Sequence, residues 1–90
     1  MTSRPLSFFM EGEIGMVDNI AGGEKVSKRL YEMGFNTGSE VKVIKNDIGP
    51  IIVSLAGSKI ALGRGLAQKI MIRANWVIKF FWLAIENDYY

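Results

Sequence analysis

Short runs in which apolar and polar residues alternate, each closed by glycine or a turn-forming polar residue, make up most of the chain, and one segment departs to helical spacing. Between Gly12 and the Gly22-Gly23 pair, Ile14, Met16, Asp18 and Ile20 recur at every second position, which predicts a first strand over Ile14–Ile20. The period then changes. Val26, Leu30 and Met33 fall at i, i+4 and i+7, with Lys25, Lys28, Arg29 and Glu32 on the other faces, so a helix is predicted over Glu24–Met33. Gly34 stands where a helix C-terminus favours a left-handed residue, and Phe35 just beyond it is placed to fold back on the last turn.

After a turn at residues 35–39, Glu40–Lys45 alternates so that Val41 and Val43 share one face while Lys42 points away. A second turn, Asn46 to Pro50, leads into Ile51–Leu55, whose inward candidates are Ile51, Val53 and Leu55. Ala56-Gly57-Ser58 is short enough for a tight hairpin into Lys59–Leu62. Gly63 to Lys69 leaves room for about one helical turn, and Ile70–Arg73 reads as the last strand. The expected fold is therefore mainly β: a small, partly open barrel of about five strands with one early α-helix.

Residues 75–90 break this pattern. From Trp76 to Ile85 nine of ten residues are apolar, Lys79 being the exception. Ten helical residues span about 15 Å, half a bilayer's hydrocarbon core, so the segment predicts an extra apolar helix rather than a transmembrane span. Capped by Asn75, such a helix would carry Trp76, Phe80 and Leu83 on one stripe and leave Ile78, Trp82 and Ile85 outward. Trp76, Phe80 and Trp82 thereby become candidate partner contacts, and self-association through this extension is an expectation.

Composition narrows the chemistry. Ninety residues support one small core, here assigned to residues 1–74 with 75–90 as an extension. Neither Cys nor His occurs, which removes disulfides, thiol catalysis, the commonest general base near neutral pH and the commonest transition-metal ligands. A metal would need carboxylates, carbonyls or thioethers; the closest acidic pairs, Glu11 with Glu13 and Glu86 with Asp88, read as solvated surface, and Met10, Met16, Met33 and Met71 as core or surface fillers. Gly63-Arg64-Gly65 resembles the start of a phosphate-cradling turn, but Gln68 stands where the third glycine of a dinucleotide fingerprint belongs. Ser27-Lys28 and Ser58-Lys59 are adjacent in sequence and so diverge on a helix or strand, which bars a serine–lysine dyad. No catalytic residue, cofactor or metal ligand is assigned, and the chain reads as a non-enzymatic module.

Eleven basic against nine acidic residues give a net charge of +2, too little for electrostatic nucleic-acid binding, and no basic stripe interleaved with aromatics marks an RNA-binding barrel. Local charge is more informative: Lys25, Lys28 and Arg29 make one side of the predicted helix basic, and Arg64 follows a strand at a turn where it could meet a partner's carboxylate. The first ten residues lack the apolar run and cleavage site of a signal peptide, so cytoplasmic residence is the expectation.

The ordered punctuation resembles the ferrous iron transport protein A (FeoA) family over about residues 6–73. The resemblance is carried by Leu6, Gly12, Gly15 and Val17, by the stretch Arg29-Leu30-Tyr31-Glu32-Met33-Gly34-Phe35, and by Gly38 and Val41-Lys42-Val43. Gly49-Pro50-Ile51, Val53, Gly57, Ile60-Ala61-Leu62-Gly63-Arg64, Ala67, Ile70 and Ile72 continue it. The resemblance implies an SH3-like barrel acting as a cytosolic accessory of bacterial ferrous iron uptake, with a FeoB-type transporter carrying its own G-protein domain as partner. That partner would also hold the domain at the inner face of the membrane. Its alternative is a free-standing SH3-like module of a metal-dependent transcriptional regulator system. Lys25, Lys28, Arg29, Phe35, Arg64, Trp76, Phe80 and Trp82 are the candidate partner contacts, and the extension after Arg73 departs from the family pattern.

Overall fold

In a computed structural model, residues 3–74 are described, and the helix expected within residues 75–90, with Trp76, Phe80 and Trp82, lies outside them. The chain runs β1 (Ser3–Pro5), a single 3₁₀ turn at Leu6–Phe8, β2 (Ile14–Ile20), α1 (Glu24–Glu32), β3 (Glu40–Lys45), β4 (Ile51–Leu55), β5 (Ser58–Leu62), α2 (Arg64–Ala67) and β6 (Ile70–Ala74). All neighbours in the single sheet, ordered β1-β6-β2-β3-β4-β5, are antiparallel. The sequence pattern anticipates five of these strands. It misses β1, whose three residues are too few to show a period and which pairs only with β6, from Ser3 opposite Arg73 to Pro5 opposite Met71. A proline is tolerated there because an edge strand does not need every N–H.

The core is formed as the alternation in β3 and β4 requires: Val41, Val43, Ile51, Val53 and Leu55 are all buried, and every fully buried side chain among the described residues is apolar. Each such Val, Leu or Ile contributes about 1.5–3 kcal/mol relative to an exposed one. In β2 the period is right, but the buried face belongs to Gly15 and Val17, while Ile14 and Met16 are half-buried. A side chain at Gly15 cannot be accommodated, since a Cβ there would run into the Ile72 side chain and come within 2.9 Å of the Arg73 carbonyl oxygen. β6 therefore crosses β2 at closer range than any other residue type would permit.

Helix α1 presents Leu30 to the core, with Val26 and Met33 packed at its margin. Its end is fixed by paired bonds: the Gly34 N–H reaches the Tyr31 carbonyl and the Phe35 N–H the Leu30 carbonyl, each at 3.0 Å, with Gly34 at φ 107°. This is a Schellman closure, and the Phe35 ring, fully buried, is its hydrophobic partner. The helix is one residue shorter than the spacing suggests, Met33 serving as its cap.

The registers of β2 and β6 shift between Val17 and Asn19, so Asp18 occupies a bulge, and beyond it Ile20 turns back to pack against the core. The Asp18 carboxylate accepts hydrogen bonds from the Ser3 hydroxyl and, at 2.9 Å, from the Arg73 guanidinium, tying β1, β2 and β6 together. The Ser3 hydroxyl and then the Arg73 bond and charge hold this carboxyl below its ordinary value of 3.8. A depressed carboxyl pKa gives stability that is complete above the unfolded value and is lost as pH falls through the folded one. Acid unfolding followed by circular dichroism is expected to show this loss below about pH 4 in the native chain, while Asp18→Asn starts less stable at pH 7 and has a shallower acid limb.

Candidate functional site

Three surface features compete for function, and the first is α1. Glu24 at its start and Arg29 in its last turn both complement the helix dipole. Lys25 and Arg29 are exposed and share one flank, four residues apart, with no ion pair among the described residues. Lys28, also exposed and without an ion pair among the described residues, lies one turn from Lys25 and lines a shallow groove with Gly22, Glu24, Ser27, Tyr31 and Glu32. All three cations of the expected basic side, Lys25, Lys28 and Arg29, are therefore exposed on α1. Lys69, distant in sequence, joins this region, because its carbonyl accepts the Ala21 N–H at 2.6 Å and its stem passes beside Gly22.

The second feature is a clasp around Asn46. The Asn46 amide donates to the carbonyls of Ser7 at 3.1 Å and Phe9 at 2.6 Å, and its own oxygen accepts from Arg64 at 2.9 Å. Arg64 also donates to the Asp47 carbonyl. This corrects the expectation of a free arginine: Arg64 is half-buried and spent on joining α2 to the β3–β4 turn. Phe35 is corrected likewise, since a ring with no exposure in the core cannot meet a partner. Around the clasp Phe8, Met10 and Ile48 are exposed, Ile48 at 96%, and the turn residues that carry them gave no periodic signal in the sequence.

The third is the groove between the end of α1 and the β4–β5 hairpin, lined by Met33, Gly34, Ser39, Glu40, Leu55, Ala56, Ser58 and Ile60. No group of three or more Asp and Glu side chains able to hold a metal occurs among the described residues. Glu13, one half of the acidic pair at 11 and 13, instead accepts the Met10 N–H at 2.7 Å and faces Arg4 at 3.7 Å. Arg4 in turn lies 4.6 Å from the centre of the Phe9 ring. The arrangement offers docking surfaces and no oriented nucleophile or base.

Removing the Asn46 side chain leaves two carbonyls and a guanidinium without their partner. Asn46→Ala is expected to cost about 1–3 kcal/mol, read by urea unfolding, with β4–β5 amide shifts unchanged.

Comparison with known proteins agrees with this architecture. A relative from Methanocaldococcus jannaschii, provisionally named Fe(2+) transport protein A, is 53% identical over 68 residues, covering 76% of this chain and 83% of its own. A crystal structure of an iron uptake regulatory protein, FeoA, superposes with a TM-score of 0.76 at 37% identity, over 83% of this chain and all of that one. Stenotrophomonas maltophilia FeoA with zinc, described as a prokaryotic SH3 domain protein and suggested as a ferrous iron transport activating factor, shares the fold. It matches at TM-score 0.68 and 24% identity, over 81% of this chain and 89% of that one. The FeoA domain family matches residues 4–74, which contain all six strands but for Ser3, and the chain belongs to that family.

Proposed function

We propose that this chain is a non-enzymatic accessory of ferrous iron uptake that docks on a FeoB-type transporter through the outer face of α1. The observation that carries the reading is the Lys25–Arg29 strip: two exposed cations on a helix anchored to the core by Leu30, neither in an ion pair among the described residues. Such a strip steers and orients an acidic surface. Family membership and the named M. jannaschii relative supply the iron context. The accessory role rests on that family membership, and every fully buried side chain among the described residues is apolar. No helix among the described residues is long and apolar enough to cross a membrane, and in this reading the transporter is the membrane-embedded member of the pair. The domain then acts at the transporter's cytoplasmic side, and residues 75–90, rich in Trp and Phe, form a second contact with the transporter or another copy.

The Lys25→Glu/Arg29→Glu double variant is expected to weaken binding to the transporter's cytosolic G-protein domain by tenfold or more, with thermal stability unchanged, and native binding is expected to fall with added salt. Equal binding by the double variant would remove α1 from the interface. Absence of binding in every nucleotide state, with binding to a metal-dependent regulator instead, would overturn the transporter reading.

A further inference from the structure

Strand β5 ends the sheet on the side away from β1, and among the described residues its outer edge pairs with nothing. The hairpin fixes which of its groups are free. With two residues, Ala56 and Gly57, in the connection, Leu55 and Ser58 form the hydrogen-bonded pair nearest the turn, and the pattern alternates from there. Ser58, Ile60 and Leu62 therefore direct their N–H and C=O groups at β4, while those of Lys59 and Ala61 point out of the sheet. Both residues are exposed, and neither outward pair has a backbone or side-chain partner among the described residues.

The two faces of this edge differ chemically. On the inner side lies the groove whose apolar lining includes Met33, Leu55 and Ile60, and Ile60 is only half-buried in it. On the outer side Lys42, Ser54 and Lys59 stand opposite one another across β3, β4 and β5, so they form one row, and neither lysine makes an ion pair among the described residues. Glu40, two positions from Lys42 on β3, lines the groove and makes no ion pair with Lys42 or Lys59, so two lysines stand against one carboxylate here.

We propose that the β5 edge is a strand-addition site for an extended peptide segment in which acidic and apolar residues alternate. The segment's main chain bonds to the outward groups of Lys59 and Ala61. Its acidic side chains face Lys59 on the outer side, and its apolar ones enter the Met33–Leu55–Ile60 groove. Charge complementarity selects the acidic segment, because a basic side chain opposite Lys59 on a neighbouring strand would be repelled. The site lies away from the Lys25–Arg29 strip, sharing with α1 only its C-terminal cap, and stands whether or not the transporter reading holds.

The test needs no transporter. A capped heptapeptide alternating Val and Glu is titrated into the isotopically labelled intact chain, with an otherwise identical Val/Lys peptide as control. The expected result is saturable shifts confined to β5 and the Met33–Ile60 groove, with slowed amide exchange at Lys59 and Ala61, for the acidic peptide alone. Ala61→Pro removes one outward N–H without touching the β4 ladder and is expected to weaken binding at least tenfold, while Lys59→Glu is expected to reverse the preference between the two peptides. If either variant fails to fold, the amide protection in the native chain decides alone. No saturable shift, equal binding of both peptides, or shifts centred on α1 would overturn the proposal and leave Lys59 as a charge that keeps the edge from pairing.

Discussion

The close passage of β6 over Gly15 is the constraint on which the rest of the barrel depends. With no Cβ in the way, the Ile72 side chain and the Arg73 backbone can settle directly onto β2, and the Phe9 ring closes the space from the other side. β6 is then paired on both flanks, to β1 and β2, although β1 is only three residues long. The bulge at Asp18 follows from the same crossing: strands brought this close must twist strongly, and the extra residue absorbs the twist while its carboxylate binds Ser3 and Arg73. Every fully buried side chain among the described residues is apolar, so stability rests on packing, and polar work is left to the surface.

How much of this was legible in the sequence depended on whether a residue's role was local. Strands β3 and β4, with their inward residues, could be read directly because two-residue alternation and burial coincide there. The end of α1 could be read because a glycine followed by an aromatic is a local signal for the closure that Gly34 and Phe35 make. The same closure buries Phe35, so this aromatic is a structural anchor and not a partner contact. β1 and the inward face of β2 were not legible, since Pro5 and Gly15 carry no periodic apolar signal and are fixed by β6, more than fifty residues away.

The surface shows the same division. Exposure of Lys25 and Arg29 follows from helix geometry alone, so the sequence located that strip. Arg64 looked available because its partners, Asn46 and the Asp47 carbonyl, are eighteen and seventeen residues distant and meet it only through the fold. The amide of Asn46, bonding both the segment at residues 7–9 and Arg64 to its own turn, shows why a residue read as turn punctuation can organise a loop cluster. The open edge at β5 is likewise a property of strand order, which no local pattern encodes.

A sealed apolar barrel that works by presenting surfaces should bind without reorganising its interior. The direct test is to map amide and methyl resonances of the intact chain as the transporter's cytosolic domain is added. The account predicts perturbations around Lys25 and Arg29, with the methyl groups of Leu30, Val43, Val53 and Ile72 unmoved. Shifts spread through those core methyls, with the α1 surface silent, would contradict it.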